Sequence, residues 1–375
     1  MRFIILLALA IFSFNNIQAQ SKAAVESFNT AVKLYKAKSY EDAIDLFSKS
    51  LAADDSFVKA YYYRGNSYIK LKKYKPAIND FGSVLELEPE HEKANLMTGF
   101  AFMKLENYER AVAALTKTIN INPENVKAYN YRGTCLMKME SYEKAIAEFD
   151  QSLTLKPDQY SAHLNRGSCY RYLKDQENAI ADFEKALEIK PSKVICHKYI
   201  GKAAYRMGDY EKSITNLDSY LASKPEDKDA LYYRAFTLKK QDKLEDAISG
   251  FDKILSLDSR HAKSLREKAS CSLLLEDYEG AIASYDVLVG MDKNNADYFL
   301  NRGIAFLKEK NFESAESDFT TAINIEPELA RAYYNRSNVY TNLKRPDDAC
   351  LDIRKASELG YAEADKYIPS LCKSK

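Results

Sequence analysis

The side chains best suited to catalysis or metal binding are few and scattered in this chain. It has six cysteines, four histidines and no tryptophan in 375 residues. Metal sites need clustered Cys, His or carboxylate ligands, and acid–base catalysis most often uses a positioned histidine. The sequence contains no GxxxxGK[ST] phosphate loop, no HExxH pair and no CxxC pair. We therefore expect no enzymatic activity, no metal and no cofactor.

The overall composition indicates a folded protein without a dominant charge. Hydrophobic residues make up 46% of the chain, and 55 Lys and Arg nearly balance 54 Asp and Glu. A dedicated nucleic-acid binder is expected to carry a strong basic excess. The sequence thus predicts a protein or peptide partner and no nucleic acid.

The N-terminus has the pattern of a secretory signal peptide over residues 1–19. Arg2 precedes an apolar run over residues 3–14, and the small Ala19 suits the position before cleavage. The run of 12 residues is shorter than the roughly 20 that span a membrane, which favours removal over a permanent transmembrane anchor. We expect export to the bacterial envelope, periplasmic or secreted, with the mature chain beginning at Gln20.

A period of 34 residues organises the rest of the chain. The eighth residue of every block is Gly, Ala or Ser, and the twentieth is Ala or, once, Ser. Small residues at fixed places allow two helices to cross closely. The pattern predicts a linker over residues 20–23, ten helical hairpins over 24–363 and a cap and tail over 364–375. The blocks start at residues 24, 58, 92, 126, 160, 194, 228, 262, 296 and 330.

This pattern resembles the tetratricopeptide repeat family. The second block carries the family residues at positions 4, 8, 17, 20, 24 and 32, namely Tyr61, Gly65, Tyr74, Ala77, Phe81 and Pro89. The resemblance covers all ten blocks. It implies an all-α, right-handed superhelical α-solenoid whose first helices line a concave groove, closed by a short C-terminal capping helix.

Comparing the blocks with one another shows a second regularity, an arginine at position 7 with an acid at position 23. We interpret these residues as a salt bridge between the two helices of a hairpin. In the seventh and eighth blocks, Arg234 and Lys268 are expected to face Gly250 and Ser284, so residues 226–295 are either a softer part of the array or ordinary repeat drift. The expected pairs are Arg64–Asp80, Arg132–Glu148, Arg166–Asp182, Arg302–Asp318 and Arg336–Asp352.

The resemblance implies that ligands bind the groove side of the first helices. Lysines with a floor of Tyr and Asn would suit an extended peptide that carries carboxylates. Cations near the end of the first helix also have a purely structural explanation, because they complement the helix dipole. The predicted binding residues are Tyr62, Asn66, Lys93, Lys127, Asn130, Tyr131, Asn165, Lys198, Lys202, Tyr232, Asn335 and Asn338.

The four histidines and Cys135, Cys169 and Cys271 occupy scaffold positions, and we interpret them as structural. Cys350 opens the second helix of the last block and Cys372 ends the cap, so an exported protein could join them in a disulfide.

Two functions stay open at this point. One is a non-enzymatic adaptor whose groove binds peptide or protein segments in the cell envelope. The other is an accessory subunit of an envelope enzyme or secretion complex, docked through the outer face of the solenoid.

Overall fold

The computed structural model describes residues 22–372, which form helices and turns with no β-strand among them. The expected signal peptide, residues 1–19, lies outside the described residues. The chain divides into two compact units, Met1–Ser192 and Lys193–Lys375.

The first unit contains five antiparallel helical hairpins. First helices pack along the second helix of their own hairpin, as α3 does with α4, and against neighbouring first helices, as α5 does with α3 and α7. The helices are α1 (22–36), α2 (Tyr40–Ala53), α3 (Val58–Lys70), α4 (Tyr74–Leu87), α5 (Glu92–Lys104), α6 (Tyr108–Ile121), α7 (Val126–Lys138), α8 (Tyr142–Leu155), α9 (Tyr160–Tyr172) and α10 (Gln176–Ile189).

The second unit contains five further hairpins and two single helical turns. The helices are α11 (Ile195–Met207), α12 (Tyr210–Leu221), α13 (Lys228–Lys240), α14 (Leu244–Leu257), α15 (Ala262–Leu274), α16 (Tyr278–Met291), α17 (Ala296–Glu309), α18 (Phe312–Ile325), α19 (Ala330–Asn342), α20 (Pro346–Glu358), α21 (Ala362–Asp365) and α22 (Ile368–Leu371). First helices again contact one another, α11 with α13 and α13 with α15. In each unit the first helices thus form one side, which we call the first-helix face.

The small residues at position 8 lie over a large side chain from the second helix. Phe149 is fully buried, and a Cβ built on Gly133 would lie 2.9 Å from its Cε1. The same relation joins Gly65 to Phe81 and Gly303 to Phe319. Real Cβ atoms do not approach so closely, so glycine is required for this helix crossing.

The predicted interhelical ion pairs are confirmed in all five hairpins. Their closest N–O distances run from 2.7 to 2.8 Å. Each arginine also donates from Nη1 to position 25 of the preceding hairpin, for example Arg64 to Ser48 at 2.9 Å and Arg302 to Asp286 at 2.7 Å. The arginine therefore joins its own hairpin to the preceding one.

The seventh and eighth blocks lack an acid at position 23, but their basic residues at position 7 still form ion pairs. Arg234 and Lys268 have no acid at position 23 of their own hairpins, but both pair with position 25 of the preceding hairpin. Arg234 contacts Asp218, and Lys268 contacts Asp252 at 2.6 Å. In these two blocks the residue at position 7 therefore pairs, among the described residues, only with the preceding hairpin, because position 25 there is acidic while position 23 of its own hairpin is not.

The cap differs from the single closing helix that the sequence predicts. It consists of the two turns α21 and α22, with the buried Ala364 packed near Ile353 and Ala356. Pro369 causes the break, because proline lacks the N–H that would continue the helix and its ring clashes with the carbonyl four residues earlier.

Candidate functional site

Two of the predicted lysines on the first-helix face of the first unit are available to a ligand. Lys93 on α5 and Lys127 on α7 are exposed, and neither has an ion-pair partner within residues 22–372. Both occupy position 2 of their blocks on helices that contact each other. Packed helices lie about 8–10 Å apart, so the two ammonium groups can reach carboxylates on one extended segment.

Tyr62 and Tyr131 lie on the same face, partly buried. The ring of Tyr62 packs near His91, with 5.2 Å between ring centroids, and the ring of Tyr131 near Phe100, with 5.3 Å. Burial raises the pKa of both tyrosines. Both phenols are therefore neutral at physiological pH and can donate a hydrogen bond.

The predicted asparagines use their Nδ2 groups inside the protein. Asn66 donates to the backbone oxygen of Tyr62 at 2.8 Å, and Asn165 donates to Thr134 at 3.4 Å. Asn130 donates to Gln159 at 2.7 Å, while its enclosed Oδ1 has no partner. Asn130 thus mainly joins α7 to the following hairpin.

The two predicted lysines of the second unit are neutralised within the protein. Lys198 contacts Asp227 and Asp229, each at 2.9 Å, and Lys202 contacts Asp229 at 2.9 Å. Burial opposes the charge of Lys198, but the hydrogen bonds with the two aspartates outweigh it and raise its pKa. Burial likewise opposes charge on the aspartates, and the bonds they accept lower the pKa of both.

The remaining predicted residues make contacts within their own helices. Tyr232 stacks on Phe236 with 5.7 Å between ring centroids, and burial raises its pKa to about 12. Nδ2 of Asn335 donates to the backbone oxygen of Arg331 at 2.8 Å, and the backbone oxygen of Asn338 accepts a hydrogen bond from Nδ2 of Asn342 at 2.8 Å. None of these residues lies in the same unit as Lys93.

The two acids that neutralise Lys198 and Lys202 are not among the site residues predicted from the sequence. A signal was present, since Asp227 ends its block and Asp229 is the second residue of the next block. Acids at these two places, beside basic residues at positions 5 and 9 of the preceding block, indicate a contact between neighbouring first helices.

The histidines have structural roles, as expected. His91 and His261 accept backbone N–H groups at the starts of α5 and α15. Nδ1 of His163 lies 2.8 Å from Asp182, and Nδ1 of His197 lies 2.9 Å from Asn216.

The cysteines fall into two groups. Cys135, Cys169, Cys196 and Cys271 are buried. Burial raises the pKa of Cys135 and Cys169 to about 12, so these two thiols are poor nucleophiles at neutral pH. Cys350 and Cys372 are joined by a disulfide with Cα atoms 5.0 Å apart. It connects α20 to the end of the cap.

Neither a metal site nor a membrane span is found in the described part of the chain. Residues 22–372 hold no group of three or more His, Cys, Asp or Glu side chains that could bind a metal ion. Within the same range, no helix is both long enough and apolar enough to cross a membrane.

Paired antiparallel helices repeated at 34 residues, with small residues at each crossing, define a helical-repeat protein. Profiles described as "Tetratricopeptide repeat" match at residues 58–91, 96–160, 160–193, 200–248, 237–296, 296–329 and 330–359. The chain belongs to the tetratricopeptide repeat family, whose repeats form scaffolds for protein–protein interaction. No curated protein matches it.

Several solved structures resemble this chain. The C-terminal part of a TPR repeat-containing protein from Cytophaga hutchinsonii is 20% identical with a TM-score of 0.55, covering 64% of this chain and 98% of its own. YrrB, described as a TPR protein with an unusual peptide-binding site, is 27% identical with a TM-score of 0.44, covering 49% and 94%. MamA from Desulfovibrio magneticus RS-1 is 23% identical with a TM-score of 0.44, covering 46% and 97%.

Proposed function

We propose that this chain is a non-enzymatic adaptor in the cell envelope, and that it binds an extended acidic peptide segment on the first-helix face of its first unit. The observation that carries the proposal is the pair Lys93 and Lys127, exposed on adjoining first helices without an ion-pair partner in the described residues. A solvent-exposed cation pair beside neutral tyrosines suits a carboxylate-bearing partner.

The second unit is a poorer site for the same ligand. Lys198 and Lys202 already contact Asp227 and Asp229. A peptide carboxylate would have to displace these aspartates, so little binding energy would be gained. This contrast supports the first unit as the peptide-binding part of the proposal.

The spacing of the lysines sets the form of the ligand. Extended backbone advances about 3.3 Å per residue, and the facing helices lie about 8–10 Å apart. Acidic side chains two to three residues apart would therefore reach Lys93 and Lys127 together, while Oδ1 of Asn66 or Asn165 accepts a backbone N–H.

Two features support an envelope location. The N-terminal residues 1–19 have the composition of a signal peptide. The bond between Cys350 and Cys372 is of the kind that persists in oxidising compartments.

The test is capture of partners from an envelope extract by the chain starting at Gln20, followed by mass spectrometry. The test variant is Lys93→Glu with Lys127→Glu, and the matched control is Lys49→Glu with Lys144→Glu, which makes the same charge change at exposed positions of the second helices α2 and α8. We expect the test variant alone to lose a specific partner.

Equal retention by both variants would contradict binding on the first-helix face. Loss with the control variant alone would favour docking through the second helices, as expected of an accessory subunit of an envelope complex. Circular dichroism of each variant shows whether the fold is intact.

A further inference from the structure

Arg234 occupies position 7 of its block, as five other arginines do, but it lacks their usual partner. Four of those five donate from both Nε and Nη2 to an aspartate sixteen residues ahead, as Arg64 does to Asp80 at 2.9 and 2.7 Å. The residue sixteen positions after Arg234 is Gly250. Among the described residues, Arg234 makes one hydrogen bond, from Nε to Asp218. Its two Nη groups are left without a carboxylate.

A cavity of about 420 Å³ opens where the missing carboxylate would lie. It lies over α13, between the second helices α12 and α14. Leu221, Leu231 and Leu238 line it together with Arg234 and Lys253. The three leucines are at most 9% exposed, so the lining combines apolar side chains with two cations. Its size falls within the range of small-molecule sites.

The third block also lacks the acid at position 23 and has a cavity at the equivalent place. Position 23 there is Ala114, and a cavity of about 250 Å³ is lined by that residue and Thr98, Phe102 and Lys117. These residues occupy the same block positions as Gly250, Arg234, Leu238 and Lys253. The seventh block differs because it keeps the arginine, so its cavity retains a guanidinium that can bind an anion.

We propose that the Arg234 cavity binds a carboxylate that carries an apolar chain. The carboxylate accepts hydrogen bonds from the two Nη groups, replacing the aspartate that the other hairpins supply internally. The apolar chain lies against Leu231 and Leu238. A free aliphatic acid and a peptide ending in leucine share this chemistry. The site is formed by α12, α13 and α14 of the second unit and includes none of the residues proposed above for the peptide surface.

Asp246 also lines the cavity and opposes an anion. Asp218 has a different effect, because its charge is already engaged by Nε of Arg234. Replacing Asp246 by Asn should therefore strengthen carboxylate binding without altering the arginine contact.

The test uses the full chain with ¹³C-labelled leucine methyl groups and follows the Leu231 and Leu238 signals by NMR. The free-acid probe is hexanoate, with hexan-1-ol as its uncharged control. The peptide probe is acetyl-Gly-Gly-Leu, with its C-terminal amide as control. We expect saturable shifts with a carboxylate probe, at least tenfold weaker binding for its uncharged control, and tighter binding by Asp246→Asn. Comparing the affinities of the two carboxylates shows whether the cavity prefers a free aliphatic acid or a peptide that ends in leucine.

Two variants should abolish carboxylate binding in different ways. Arg234→Gln removes the guanidinium, and Ala235→Gly with Gly250→Asp restores the internal aspartate. The paired change is needed because a Cβ at position 250 would lie 2.8 Å from Cβ of Ala235. Both variants should lose the response while remaining folded by circular dichroism. Equal binding of the uncharged controls, an undiminished response in the restored-aspartate variant, or no shift with either acid would overturn the proposal.

Discussion

Arg166 holds Asp182 with two parallel hydrogen bonds, from Nε to Oδ2 at 2.8 Å and from Nη2 to Oδ1 at 2.7 Å. Its Nη1 donates to Asp150 of the preceding hairpin at 2.5 Å. These bonds with the aspartates raise the pKa of Arg166 although burial opposes its charge. One side chain thus joins three helices, α8, α9 and α10.

Arg166→Ala should destabilise the fifth hairpin, because it leaves Asp182, 4% exposed, without its cation. Breaking such a buried pair from one side costs about 3–5 kcal/mol. The measurement is the free energy of opening of amides in α9 and α10 by hydrogen exchange. The exposed Arg206→Ala serves as control and should change stability by less than about 0.5 kcal/mol.

The double variant Arg166→Ala with Asp182→Ala tests the cause. If the loss comes from the unpaired carboxylate, removing Asp182 as well should recover part of it. Additive losses would show that the two residues act independently and would contradict the interpretation as a coupled pair.

These pairs were predictable because both residues recur at the same block positions, and the repeats serve as an internal alignment. The family and the helical hairpins followed from the same periodicity. The neutralisation of Lys198 by Asp227 was not anticipated, because that contact occurs at one place in the chain and depends on how two neighbouring hairpins pack.

The backbone conformation of the turns between paired helices could not be predicted from the sequence pattern either. The residue at position 15 has positive φ in all ten hairpins, yet only Gly208, with φ of 82°, is a glycine. Glu140 has φ of 59°, and its strain is offset by turn hydrogen bonds such as that from Ser141 N to Leu136 O at 2.9 Å. Residue type alone does not indicate this conformation.

Glycines at helix crossings should respond to substitution in the opposite sense from helical glycines that have open space beside them. Gly133→Ala places a Cβ 2.9 Å from Phe149 and should destabilise the chain by about 1–3 kcal/mol through overpacking. Gly82→Ala meets nothing within 4 Å and should stabilise α4 by about 0.5–1 kcal/mol. The measurement is the thermal unfolding of the two variants, monitored by circular dichroism. A neutral Gly133→Ala would show that the crossing can open without cost.

The Lys198 cluster should make the second unit sensitive to acid. The pKa values of Asp227 and Asp229 are lowered from 3.8 in the folded protein. The unfolded chain therefore binds protons first as pH falls, and the stability that these pairs contribute is present at neutral pH and lost below about pH 4. Lys198→Met should lower stability by about 1 kcal/mol near pH 7 and have little effect near pH 2.

The measurement for this cluster is the unfolding temperature of both proteins at the two pH values. Lys240→Met, an exposed lysine on α13, is the control for loss of charge. An equal effect of Lys198→Met at both pH values would mean that the side chain acts through packing and not through its ion pairs.

The disulfide between Cys350 and Cys372 should stabilise the C-terminal hairpin and its cap. It closes a loop with a sequence separation of 22, for which the chain-entropy model gives about 3 kcal/mol. Cys350→Ala with Cys372→Ala should therefore speed hydrogen exchange in α20 and leave α3 unchanged. Thiol titration in denaturant should find four reactive groups before reduction and six after it, because four of the six cysteines lie outside the bond. Six reactive thiols before reduction would exclude the bond and remove one support for an oxidising compartment.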